Sequence, residues 1–202
     1  MDILVIRHGQ SEADILKVIE GRADFPLTQL GNKQAVQMAE WVNGYIKLDK
    51  IFTSPLQRAR QTAERLSAVT GIPVELDDSL MEWKNGLIAG LSIEDANKKY
   101  PKPNLYFPHT IVYEQESDIE FRARAEKALS RIINENPLES KIAIVSHGGL
   151  IARLFQSFLR LPIISDVSIN TSDTGIHHWK ISTGGRRIIF ANNLIHLEAL
   201  SC

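Results

Sequence analysis

The chain has 202 residues, a formal net charge of -1 and 44% apolar residues. That suffices for one domain with a sizeable core, and the absence of any block of like charge excludes an electrostatic nucleic-acid binder. The single cysteine, Cys202, excludes an internal disulfide or a cysteine metal site and reads as an exposed thiol.

Ile3 to Ile6 form a short run, apolar on both faces, which predicts a buried parallel strand. The stretch from Leu27 to Ile46 predicts a helix, with Thr28 as cap and Ala35, Met38, Ala39 and Val42 on its apolar face. A short strand follows in "KIFTSP". Ser54 then suits the N-cap of the next helix and Pro55 its first position. Leu56, Ala59, Ala63 and Leu66 share one side of that helix, and Gly71 ends it. "IPVEL" is a third strand candidate.

Residues 78–118 carry Trp83, Gly86, Gly90, Pro101, Pro103 and Pro108, with one short helix expected over Ile93 to Lys99. This composition predicts a loop-rich lid over the sheet, within one domain spanning 1–202. "DIEFRARAEKALSRIINEN" is the clearest helix, with Asp118 as candidate cap. "KIAIVS" is a fourth strand leading into a helix from "GGL". Two strand-like runs flank Gly184-Gly185, which predicts a hairpin at one side of the sheet. Strands alternating with helices imply a three-layer α/β/α sandwich on a mostly parallel sheet, with its ligand site beyond the C-terminal strand ends.

Two aliphatic runs break off into Arg7-His8-Gly9 and His147-Gly148, so both histidines belong at that edge. Arg58, near the start of a helix, can join them. Arginine offers a fork of donors that matches phosphate oxygens. Gly148 opens its backbone N–H to the same oxygens, at a helix start. A neutral histidine can attack phosphorus, and His8, held between Arg7 and Gly9, is the better placed of the two. The guanidinium groups favour its unprotonated ring and stabilise charge on the transferring oxygens. Glu82, in "LMEWKNG", is the best general acid for the leaving oxygen and base toward water; Asp24, Asp77 and Asp78 are weaker candidates.

"LVIRHGQSEAD", "GRADFPLTQLG", "SPLQRARQTAE", "EWKNGLIAG" and "VSHGG", in this order over nearly the whole chain, resemble the histidine phosphatase superfamily on its phosphoglycerate-mutase-like branch. The resemblance implies His8 as the phosphorylated nucleophile, with Arg7, Arg58 and His147 lining the phosphate pocket. It makes Glu82 the acid/base, and Gln10, Ser11 and Gly148 pocket contributors. It implies no metal and no cofactor. Arg22, in the loop after the nucleophile, is a candidate substrate contact. One departure stands out: Asp14 lies where members often carry asparagine, and an ionised carboxylate there would repel a phosphate.

Phosphatase and mutase share the first transfer to His8. An apolar, aromatic stretch with Leu105, Tyr106, Phe107 and Tyr113 favours a broad phosphomonoesterase. Lys98, Lys99 and Lys102 keep a cofactor-dependent phosphoglycerate mutase as the alternative. "EWKNGLIAG" lacks the arginine-rich stretch that resemblance to the mutases would imply. An inactive binding or regulatory module would predict a broken site, and no site residue is missing. Trp83, Tyr106 and His109 are candidate contacts to the organic part of a substrate, and one of His177 and His178 can border the pocket. The expected partner is a small phosphomonoester, with no nucleic acid and no membrane, for a monomer or homodimer. The start of the chain has no basic segment followed by an apolar run and cleavage site, so the expected location is cytoplasmic.

Overall fold

The aliphatic runs at Asp2–Arg7 (β1) and Lys141–Ser146 (β4) lie side by side in the middle of a sheet, paired in parallel from Asp2 opposite Lys141 to Arg7 opposite Ser146. In a computed structural model describing residues 1–200, Ile3, Leu4, Val5 and Ile6 are all buried, as are Ile142 to Val145. Neither strand has a polar face because both faces of the sheet are covered.

Around this pair run Glu12–Leu16 (α1), Gln29–Tyr45 (α2), Lys50–Thr53 (β2), Gln57–Thr70 (α3), Val74–Leu76 (β3), Ile93–Lys99 (α4), Asp118–Asn134 (α5), Gly148–Phe158 (α6), Ile176–Ser182 (β5) and Gly185–Asn193 (β6). The sheet order is β3-β2-β4-β1-β5-β6. β3, β2, β4 and β1 pair in parallel, and β5 runs antiparallel to both β1 and β6. The expected hairpin is therefore one edge of the sheet.

Alternate strand residues feed two cores. Ile3, Val5, Ile142 and Ile144 meet Phe121, Leu129 and Ile132 of α5 and Leu150, Leu154 and Phe158 of α6. Leu4, Ile6, Ala143 and Val145 meet Met38 and Val42 of α2 and Ala59, Ala63 and Leu66 of α3. This is the expected three-layer sandwich. Among the described residues no helix is long and apolar enough to cross a membrane. Cys202 lies outside the described residues.

Thr28 caps α2, its side chain accepting from the Gly31 N–H, and Gly71 closes α3 in the left-handed region at φ 74°. Two caps differ from expectation. Ser54 and Pro55 precede α3, whose cap position is Leu56. The Ser54 N–H still donates to Val145 O, extending the sheet. The Asp24 carboxylate instead accepts from the Gln57 N–H at 2.6 Å, capping the helix from a distant loop. Ser117, not Asp118, caps α5, in a capping box with Glu120. Asp118 is the first helical residue and pairs with Arg153. The five-residue α1 and the 3₁₀ turns at Asp78–Leu80, Gly86–Ile88 and Ile195–Leu200 were not expected from the sequence.

Candidate active site

The register that pairs Arg7 with Ser146 carries the next residues of both strands out together. The His8 N–H donates to Ser146 O at 3.0 Å, and the rings of His8 and His147 lie 5.1 Å apart. Both side chains are buried. Gly9 packs against the start of α2 so closely that a Cβ there would lie 2.5 Å from Gly31 O. The close packing fixes the chain that carries His8.

His8 Nδ1 lies 2.8 Å from Gly9 O. A carbonyl only accepts, so Nδ1 carries the hydrogen and Nε2 presents its lone pair. Arg58 Nε donates toward Nε2 at 3.3 Å. Burial first, then the charges of Arg58 and Arg7, hold the His8 pKa well below the usual histidine value. Both effects favour the neutral ring, and desolvation contributes more than the guanidinium groups do.

Arg58 is fully buried although it sits in the first turn of α3. Its Nη1 and Nη2 donate to Ala23 O and Gly21 O at 3.1 and 2.8 Å, locking the loop before α2 onto the site. Its neighbour Arg60 makes only an exposed pair with Glu64. Arg7 is held by Thr171 O at 2.9 Å and Asp173 at 3.4 Å. His147 Nε2 pairs with Ser54 Oγ at 2.8 Å. Arg7 Nε and His147 Nδ1 are buried without a hydrogen-bond partner among the described residues. Burial, together with Arg58, His8 and Arg7, lowers the His147 pKa well below the usual value.

Glu82 is held at the start of α6. Its Oε2 accepts from the Gly149 N–H at 2.8 Å and its Oε1 from the Trp83 N–H at 2.8 Å. Its own carbonyl accepts from Arg124 Nη2 and Arg22 Nε, both at 3.1 Å. Arg22 also pairs with Glu116 at 3.5 Å, so it braces Glu82 from outside. The sequence pointed to Gly148, yet a Cβ there would make only ordinary contacts, with Arg7 Nε and Thr171 Cγ2, both at 3.9 Å. Gly149 is the sterically demanding position.

The remaining candidates divide. Ser11 is buried and caps α1, and the Asp14 carboxylate turns back to accept from its N–H and Oγ. That is the local answer to the misplaced carboxylate. Gln10 accepts from Thr28 Oγ1 at 2.8 Å. Asp24 and Asp77 are spent as caps, of α3 and of the turn at Asp78. Trp83 packs on Phe121 at 5.2 Å and also lines a cavity of about 740 Å³ with Tyr100, Lys102, Tyr106 and Tyr113. Leu105 and Phe107 are exposed rather than lining it. His109, stacked on Phe107 at 5.7 Å, is likewise outside the cavity lining, as are Lys98 and Lys99. His177 accepts from the Asn192 N–H, and His178 bonds Asp2 and Tyr45, so both serve the sheet edge.

Sequence reasoning missed Glu20, Ser54, Asp173 and Arg124. Glu20 Oε2 lies 3.3 Å from Arg58 Nε and 3.9 Å from His8 Nε2. Its neighbour Gly21, whose carbonyl Arg58 holds, opens the "GRADFPLTQLG" block, the one sequence signal that could have drawn attention to it.

A buried histidine whose Nε2 lone pair faces Arg58, ringed by two guanidinium groups and a helix N-terminus at the C-terminal edge of a parallel sheet, is a site for an anionic electrophile. The family model of the histidine phosphatase superfamily (branch 1) matches residues 3–194, and the chain belongs to that superfamily. The chain is 31% identical to the uncharacterised phosphatase PhoE of Bacillus subtilis over 152 residues, 75% of this chain and 74% of the relative. It is 31% identical over 161 residues to phosphoglycerate mutase-like protein 4 of Arabidopsis thaliana, covering 77% and 70%. A mycobacterial glucosyl-3-phosphoglycerate phosphatase solved with VO3 superposes at a TM-score of 0.81 with 27% identity, covering 95% of this chain and 98% of that one.

Proposed function

We propose that this chain is a metal-independent phosphomonoesterase that hydrolyses small organic phosphates through a phosphohistidine on His8. The observation that carries the reading is the setting of the His8 ring: buried, with Nδ1 tied to Gly9 O, the Nε2 lone pair facing Arg58 Nε, and a pKa held well below the usual histidine value by burial. Nε2 attacks phosphorus; the N–P bond forms as the bond to the leaving oxygen breaks. Glu82 gives that oxygen a proton. A water then attacks phosphorus, the N–P bond breaks and the water's proton passes to Glu82, restoring both residues.

Arg7 and Arg58 carry the charge work that a metal would otherwise do. The scheme needs the tautomer in which His147 Nε2 accepts from Ser54 Oγ, which leaves the hydrogen on Nδ1 for a phosphoryl oxygen. The N-terminal amide groups of α6 add their partial positive charge, Gly148 among them. Gln10 and Ser11 shape the floor of the pocket. The cavity lined by Trp83 and Tyr106 takes the organic part, and its aromatic walls favour an apolar or sugar-like group over a small acid.

The deciding experiment follows the phosphoryl group. The protein is incubated, with chelator, with an aryl phosphate, and separately with 3-phosphoglycerate plus trace bisphosphoglycerate. Free phosphate and 2-phosphoglycerate are measured together. Phosphate release without 2-phosphoglycerate is expected; efficient 2-phosphoglycerate formation with little phosphate would make the chain a mutase. Failure of chelated protein to turn over either compound would remove the metal-independent reading.

A further inference from the structure

The pocket holds a second carboxyl group, which the catalytic scheme above does not use. Glu20 lies in the loop between α1 and α2, with its side chain 18% exposed. The groups facing it are Arg7 at the end of β1 and His8 just beyond it, Ser11 at the cap of α1 and Asp14 within it, and Arg58 from α3. Arg58 Nε serves both His8 Nε2 and Glu20 Oε2, at 3.3 Å each. A phosphoryl group placed for attack by Nε2 therefore has its oxygens beside this carboxyl group. An ionised carboxylate there opposes a dianion directly.

Counting hydrogens around Ser11 resolves the conflict. Its hydroxyl is within hydrogen-bond distance of two carboxyl oxygens, Asp14 Oδ2 and Glu20 Oε1. A hydroxyl has one hydrogen to give. Asp14 Oδ2 also accepts the Ser11 N–H at 2.8 Å, which holds this oxygen in place to accept from the hydroxyl as well. If Ser11 donates to Asp14, the hydrogen on the other contact comes from Glu20. Burial, with the Asp14 charge, pushes Glu20 up from the usual glutamate value against the pull of Arg58 and Arg7; a Ser11 hydroxyl donating to Glu20 would pull the same way as the arginines, and that pull is lost when the hydroxyl donates to Asp14.

We propose that Glu20 stands beside the bound phosphoryl group as a neutral carboxylic acid, its hydrogen on Ser11 Oγ, so that a dianion enters this pocket together with one proton. Glu20 is then a specificity-determining residue: it admits the dianion only with its compensating hydrogen. The proposal rests on the reading of this pocket as the phosphoryl site. It predicts that anion affinity falls as pH rises, by up to roughly tenfold per unit once Glu20 is ionised in the free protein.

Sulfate tests this without turnover, because it is tetrahedral and stays dianionic across the working range. Calorimetric titration near pH 7.5, in two buffers of different ionisation enthalpy, reads the protons taken up on binding. The wild type is expected to take up close to one, and Glu20→Gln close to none. Glu20→Gln should also bind sulfate at least about tenfold more tightly than the wild type near pH 8, with the gap closing near pH 5.5. Equal proton uptake in the two proteins would assign the proton to another group, such as His8, and overturn the proposal. Uptake by neither, or sulfate binding by neither, overturns it as well. Should Glu20→Gln not fold, the glutamate carboxyl carbons of the wild type carry the test. One of them must move upfield, the direction of protonation, as sulfate is added at fixed pH, and the proposal fails if none does. A protein that binds sulfate with a proton but hydrolyses nothing would sink the phosphatase reading alone; an active phosphatase without uptake would sink this one alone.

Discussion

Gly149 connects the steric demands of a single position to the chemistry proposed for Glu82. A Cβ at this position would lie 2.5 Å from Glu82 Oε1 and 3.1 Å from its carboxyl carbon. The obstructed atoms are the end of a flexible side chain, so a methyl group can be accommodated by swinging the carboxyl away. Gly149→Ala should therefore fold with little change in stability, since alanine is also the better helix residue by about 0.5–1 kcal/mol. Its kcat should fall. General acid catalysis is worth roughly 10²–10⁴-fold, and the loss should be largest for alkyl phosphates, whose leaving oxygen needs the proton most. An aryl phosphate with a good leaving group should be nearly spared. Equal losses on both substrates would mean that Glu82 does not protonate the leaving group. His8→Ala provides the complementary case. It removes the nucleophile and leaves the Arg7, Arg58 and His147 donors, so it should bind phosphate yet give no acid-labile phosphoprotein and no turnover. Retained activity in that variant would dismiss the covalent scheme.

At the scale of elements, the site is a consequence of register. β1 and β4 are parallel and in step, so the first residues beyond them meet without any further device. This much was legible in the sequence, because two β-branched runs with no polar face must be central strands, and each breaks off at a histidine. The apolar stripes of α2, α3 and α5 were legible for the same reason, burial having imposed a period on them. The groups that brace the site were not. The cap of α3 comes from Asp24, 33 residues away, and no local pattern announces it. Arg124 carries no such mark either. From α5 it donates to Ser79 O and Met81 O at 2.9 and 2.7 Å and to Glu82 O at 3.1 Å, while pairing with Glu116. It fastens the segment that carries Glu82 to the helix layer. Arg124→Met keeps an unbranched side chain but removes the guanidinium, which also lies 4.9 Å from the centre of the Phe121 ring, and leaves those carbonyls without their donor, at about 1–3 kcal/mol for each that stays dry. The expected outcome is lower stability and a reduced kcat with KM for an aryl phosphate little changed. A fall in stability with kcat intact would reduce Arg124 to a structural brace.

For the molecule as a whole, the histidines tie the site's chemistry to the stability of the fold. His8, His147, His177 and His196 are buried, and burial lowers the pKa of each. For His177 and His196 the value falls from 6.5 to about 4. Between those limits the unfolded chain binds protons that the folded chain refuses, so stability falls as pH falls from about 6.5 toward 4 and is unaffected by these groups above that window. At about 1.4 kcal/mol per unit, each of the two contributes a loss of roughly 3 kcal/mol across its window. Glu20 and Asp173, raised by burial, work in the opposite direction at the acid end and offset part of this. The urea midpoint should therefore drop steeply between pH 7 and pH 4.5. His177→Gln combined with His196→Gln should flatten that slope, because glutamine keeps a hydrogen-bonding group but cannot take the proton. A midpoint that stays level over this range would mean that these rings are not buried in the neutral form. The same property bears on catalysis. A nucleophile held neutral by burial stays competent into acid conditions, so the acid limb of activity should follow the loss of folded protein rather than protonation of His8. Activity and far-UV signal measured on the same samples would then decline together, and activity lost well before structure would restore His8 as the titrating group.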